Sequence, residues 1–163
     1  MNKKFGACCA IARKSAGFSQ EAVAELFGVS VRSISDYENS KTAVPDDIAA
    51  KMVKIYDAMW LGYLYLSINS AVGQMILPEV EIKELSSSLL NLQVHMKKAQ
   101  DIQLDFAEIG SDNIIDENER PVYEKCLRVT SSLIGSAISV IVAPKKKSAR
   151  VVARTDLGLK NIL

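Results

Sequence analysis

A chain of 163 residues has room for one ordinary domain, or for a small head with an accessory module. Apolar residues make up 48% and charged residues 24%, enough for a packed core and against global disorder. The net charge of +1 gives no overall pull toward nucleic acid or an anionic membrane, so any such contact must be local.

That charge is segregated. Residues 1–66 hold eight Lys/Arg against seven Asp/Glu, residues 79–124 four against eleven, and residues 125–163 eight against one. An acidic middle is a poor surface for phosphates, which leaves DNA work to the head or the basic tail. The three cysteines, Cys8, Cys9 and Cys126, show no CxxC and no histidine pattern, and His95 stands alone. They read as apolar packers in a reducing cytoplasm, with no metal site and no cofactor.

The N-terminus has a basic start, but Arg13 and Lys14 break its short apolar run. Residues 3–16 therefore read as a helix and not an export signal, with Phe5, Cys8, Cys9, Ala12 and Ala16 inward and Gly17 as a left-handed cap. Ser19 caps a second helix that buries Val23, Ala24, Leu26 and Phe27 and stops at Gly28. Ser30 caps a third, running to about Glu38 with Ile34 and Tyr37 inward. Pro45-Asp46-Asp47 opens a fourth, which buries Ile48, Met52, Ile55 and Tyr56. A fifth, Trp60 to about Asn69, is apolar on several faces and is expected to be sandwiched. The uncharged stretch Ala58–Pro78 is long enough to span a membrane. Its central Ser67, Asn69, Ser70, Gly73 and Gln74 favour a buried helix and a turn instead.

From Pro78 the pattern changes. Ile82, Leu85, Leu89, Leu92, Met96, Ala99, Gln103 and Phe106 alternate spacings of three and four, a coiled-coil-like seam on one helix expected from Glu79 to Ile109. Gly110–Asn113 breaks it, and Pro121 opens another helix with Val122, Cys126, Val129, Leu133, Ala137, Ile138 and Ile141 inward. Two helices and a short loop make an antiparallel hairpin, too apolar to stand alone.

The stretch Phe18–Lys41 resembles the Cro/C1-type helix-turn-helix family of phage repressors and related regulators. The resemblance covers about residues 3–66 and rests on Arg13, Ser19-Gln20-Glu21, Val23-Ala24, Gly28-Val29-Ser30, Ile34-Ser35 and Tyr37-Glu38-Asn39-Ser40-Lys41. It implies an all-α fold: a five-helix lambda-repressor-like DNA-binding domain, here followed by the long two-helix hairpin. It also implies an ion pair between Arg13 and Glu38, tying the first helix to the end of the third. Ser40 stands where the family carries glycine, so that turn needs a strained φ or a modified shape.

Docking geometry assigns the rest. A recognition helix presents its first half to base edges, and the preceding helix meets the backbone with its N-terminus. Val31, Arg32, Ser35 and Asp36 are then the base readers: Arg32 for guanine, Asp36 for cytosine, Val31 for a thymine methyl. Gln20, Ser30, Asn39 and Lys41 are placed for phosphates. The plainer alternative is a solvated polar face.

Weaker patterns remain. Glu108–Glu119 echoes a calcium loop, with Asp112, Asp116 and Glu119 in liganding positions, but its first, third and sixth positions depart and it reads as a solvated acidic turn. Lys145–Lys147, Arg150 and Arg154 read as a solvated tail or as a DNA-contacting arm. No catalytic set stands out, so no enzyme is expected.

The expected organisation is a DNA-binding domain over 1–69, a dimerisation or regulatory hairpin over 70–144 and a basic tail over 145–163. The expected function is a cytoplasmic, sequence-specific repressor of double-stranded DNA, bound to a near-palindromic operator as a homodimer through Leu85, Leu89, Leu92, Met96, Leu133 and Ile138. The competing reading is an antitoxin- or anti-repressor-like module whose hairpin grips a regulatory protein partner. Neither reading uses a membrane.

Overall fold

The head is built from five helices: α1 (Lys3–Ser15), α2 (Gln20–Phe27), α3 (Val31–Glu38), α4 (Asp46–Ile55) and α5 (Met59–Asn69). The computed structural model describes residues 3–109 and 114–144, and all regular structure among them is helical. Gly17 (φ 80°) and Gly28 (φ 71°) hold the left-handed backbone that ends α1 and α2, where a Cβ would be strained. Ser19 and Ser30 cap α2 and α3 by accepting the backbone N–H groups of Ala22 (3.2 Å) and Ser33 (3.0 Å).

The caps set the angles at which apolar faces converge. Phe5, Cys9, Val23, Phe27, Ile34, Met52, Tyr56 and Leu61 form one core, with Phe18 and Phe27 tilted against Tyr56. Burial pushes the Cys9 thiol up to about 12, the state of an inert packer. Cys126 is buried and Cys8 half-buried, and all three thiols are free.

Two expectations for the head are corrected. Leu26 is exposed, because α2 turns Val23, Ala24 and Phe27 inward and one more apolar residue per turn cannot share that face. α5 is not sandwiched: Leu61 is buried, Trp60, Leu64, Tyr65 and Ile68 are half-buried, and Met59 and Leu66 face out. Its neighbours α4, α1, the short α6 (Ala71–Ile76) and the returning helix of the hairpin cover only part of its circumference. Gly73 lets α6 fold back, since a Cβ there would fall 2.1 Å from the Leu66 carbonyl oxygen.

The long helix expected from Glu79 to Ile109 is three pieces. Residues 78–84 form an extended strap, α7 runs Leu85–Asp101 and α8 runs Gln103–Ile109. The strap's carbonyls are used elsewhere: Tyr63 donates its hydroxyl to Pro78 O, and Ser139 Oγ donates to Glu81 O at 3.0 Å. Ile102 (φ −106°, ψ 10°) breaks the helix to bury its side chain with Ile109 and Cys126.

α9 (Arg120–Val142) returns antiparallel along α7. The contact differs from the expected seam. Its buried polar link is Ser88 with Ser139, whose hydroxyls share a 2.9 Å bond, while Gly135 of α9 packs under the strap at Glu79. Of the large seam residues, Leu85, Leu89 and Met96 face outward, 39%, 45% and 51% exposed, while Ile82 and Leu92 are half-buried. On α9, Cys126 is buried and Val129, Leu133, Ala137 and Ile138 half-buried, while Val122 and Ile141 are exposed. By length and apolar composition α9 is able to cross a membrane; it lies along α7 with a run of serines.

Candidate nucleic-acid interface

The interface is assembled by a polar lock among α1, α2 and α3. Arg13 Nε donates to Glu38 Oε1 at 2.6 Å and its Nη2 to Oε2 at 2.9 Å, a two-pronged pair with both side chains under a tenth exposed. Arg13 Nη1 also donates to the Phe18 carbonyl at 2.7 Å, just before the cap of α2. Burial alone would raise the Glu38 carboxyl, but hydrogen bonds from Arg13 and Gln20 outweigh it and hold it below the usual carboxylate range. The same bond to Glu38 raises Arg13 against the cost of burial.

Gln20 was expected to face a phosphate. Its Nε2 donates to Glu38 Oε2 at 2.8 Å, so the amide takes part in the lock and only its remaining N–H is available for a phosphate oxygen. Both missed contributors to the site lie behind it. Gly6 is buried against the end of α3, where an added Cβ would sit 2.4 Å from Ser40 Oγ and 2.6 Å from the carbonyls of Tyr37 and Glu38. A glycine inside a helical run was the signal for this close approach. Lys51, on α4, donates to Phe27 O at 2.9 Å and ties down the end of α2, for which the sequence carries no local signal.

In front of the lock, α3 presents Val31 and Arg32, the latter 91% exposed at its side chain. Asp36 is recessed, 3.8 Å from Arg32 Nε and 3.7 Å from Lys41 Nζ. It partly neutralises the two cations that face outward and holds them near the helix. Ser35 is half-buried, and Asn39 Nδ2 donates back to its carbonyl at 2.8 Å, so Asn39 closes the end of α3 as well as facing outward. Ser30 Oγ serves the cap and shares a 2.8 Å bond with Ser33 Oγ. Ser40 takes the strained option, with φ 56° where glycine would be unstrained. The structure thus brings Gln20, Ser30, Val31, Arg32, Ser35, Asp36, Asn39 and Lys41 onto α2 and α3 and the turn after it.

Elsewhere, Asp116 and Glu119 close the turn before α9, Asp116 accepting the backbone N–H groups of Asn118 and Glu119 and Glu119 that of Asp116, while Gly110, Asp112 and Asn113 of the acidic turn lie outside the described residues. Lys145–Lys147, Arg150 and Arg154 also lie outside them. His95 is half-buried on α7, its Nδ1 shielded from solvent.

A family model described as helix-turn-helix matches residues 10–58, from within α1 to the turn before α5. No curated protein and no solved structure matches the chain.

Proposed function

We propose, from a chain whose residues 10–58 are a Cro/C1-type DNA-binding helix-turn-helix, that this transcriptional regulator is a cytoplasmic repressor bound as a homodimer to a near-palindromic operator. One observation carries the reading. The Arg13–Glu38–Gln20 lock rigidly joins three helices while leaving Val31 and Arg32 exposed at the start of α3. The lock fixes the angle of α3 against α1 and α2, so these residues are presented on a rigidly held helix.

In this reading Arg32 takes the bidentate contact to guanine, Val31 meets a thymine methyl, and Ser35 and Asp36 read the next bases. Lys41, Asn39, Ser30 and the α2 N-terminus at Gln20 meet phosphates. A head with near-balanced charge binds weakly by itself, so a two-fold pair supplies affinity. The exposed Leu85, Leu89 and Met96, with the half-buried Leu92, Leu133 and Ile138, support pairing through the hairpin. The reading is of a binder and not an enzyme.

A gel shift with the DNA upstream of its own coding sequence tests this. The expected result is a specific shift, lost or relaxed in Arg32→Ala. Unchanged sequence-specific binding by that variant would remove Arg32 from the reading. A second reading, a hairpin that grips another protein, is favoured by Leu90 and Val94, which are exposed on α7 outside the 85–89–96 stripe. Absence of any shift, with a stoichiometric partner recovered, would replace the first reading by the second.

A further inference from the structure

Where the head meets the hairpin, a cleft of about 550 Å³ opens between α5, α6 and the strap. Its size suits a compact small molecule, and junctions between modules are where such sites concentrate. Tyr63, Leu64 and Leu77 line it with apolar surface, and Ser67 and Gln74 add polar groups. Its only charged lining residues are Glu79 and Glu81. Lys83 pairs with Glu81 at the edge, which leaves about one uncompensated negative charge. A lining of one tyrosine and two acidic residues favours a cation over an anion.

The strap is tied on both sides of this cleft. Tyr63 holds Pro78 O from α5, and Ser139 holds Glu81 O from α9. Gly135 of α9 sits directly under Glu79, where a Cβ would lie 2.9 Å from its carbonyl oxygen. A molecule in the cleft therefore presses on both the last helix of the head and the segment hung from the hairpin.

We propose that this cleft is an effector site for a small organic cation with an apolar body, a protonated amine or quaternary ammonium, whose binding alters DNA affinity. The second half rests on the regulator reading above; the binding half does not.

The test is calorimetry on the full chain, without DNA, using phenylbutylamine, phenylbutanol and phenylbutyrate as matched cationic, neutral and anionic probes. The amine is expected to bind one site about fivefold more tightly than the alcohol, with the acid weakest. Glu79→Gln with Glu81→Gln, both exposed and safe for folding, should bring the amine down to the alcohol. Ser67→Trp should fill the cleft and abolish all three, its fold checked by circular dichroism. Equal affinities, an amine indifferent to the glutamine pair, or no binding of the amine would overturn the site. A gel shift with saturating amine should change DNA affinity at least about threefold, and an unchanged affinity overturns the regulatory half alone. A chain that binds no DNA in either condition overturns the regulator reading, while the calorimetry still decides the site.

Discussion

Arg13 and Glu38 are the residues on which the interface depends most. Glu38 titrates below the ordinary carboxylate range in the folded chain, so the sign is that of a depressed acid. Its contribution is fully present above the unfolded value of about 4.3 and is lost as pH falls through the lower folded value. Arg13→Met leaves a buried carboxylate uncompensated and should destabilise the head by about 3 kcal/mol near neutral pH. That difference should shrink once Glu38 is protonated, which denaturant melts of both proteins below about pH 4 would show. Arg32 behaves oppositely. It is almost fully exposed and only loosely paired with Asp36, so Arg32→Ala should leave stability within about 0.5 kcal/mol. The same change should cost about 1–3 kcal/mol of discrimination at one operator position, read by competition with single-base variants. Both arginines were marked in the sequence, one by the family pattern and one by its place near the start of a capped helix. Gln20's part in the lock was not, because the amide's partner is 18 residues away in the chain.

At the scale of elements, close approach by small residues recurs. Gly6 lets α1 reach the end of α3, Gly73 lets α6 fold onto α5, and Gly135 lets α9 pass under the strap. Gly6→Ala should cost about 1–3 kcal/mol, since the groups facing it include two backbone carbonyls that cannot step aside. A lowered melting temperature with an unchanged hairpin, followed by hydrogen exchange, is the expected outcome. The helices of the head were legible from capping serines, terminal glycines and apolar spacing, all of which act within a few residues. The strap and the break at Ile102 were not. A regular three-four spacing reads as one continuous helix, yet the strap carbonyls bond to Tyr63 and Ser139, and burying Ile102 outweighs helical continuity there.

For the whole molecule, the useful contrast is between what the chain buries and what it leaves for a partner. On the proposed homodimer, Leu89→Glu with Met96→Glu changes residues exposed in the single chain, so the fold should persist while light scattering reports a monomer. Operator affinity should then fall about a hundredfold through lost avidity. A variant that stays dimeric would move the pairing surface elsewhere. If the proposed dimer binds through Arg32 and Lys41 of each reading face, the salt dependence should be shallow, a log–log slope of about −2 to −4. A slope near −8 would bring the basic tail into contact with DNA. By itself the sequence determined the all-helical class and the capped helix-turn-helix, because those follow from local caps and a helical period. Only the tertiary structure decided which seam faces inward. The hairpin is joined at its centre by the buried Ser88 and Ser139, whose hydroxyls bond each other. Spacing alone ranks a leucine above a serine, and so it could not say that Leu85 and Leu89 would be left exposed while Ser88 is buried.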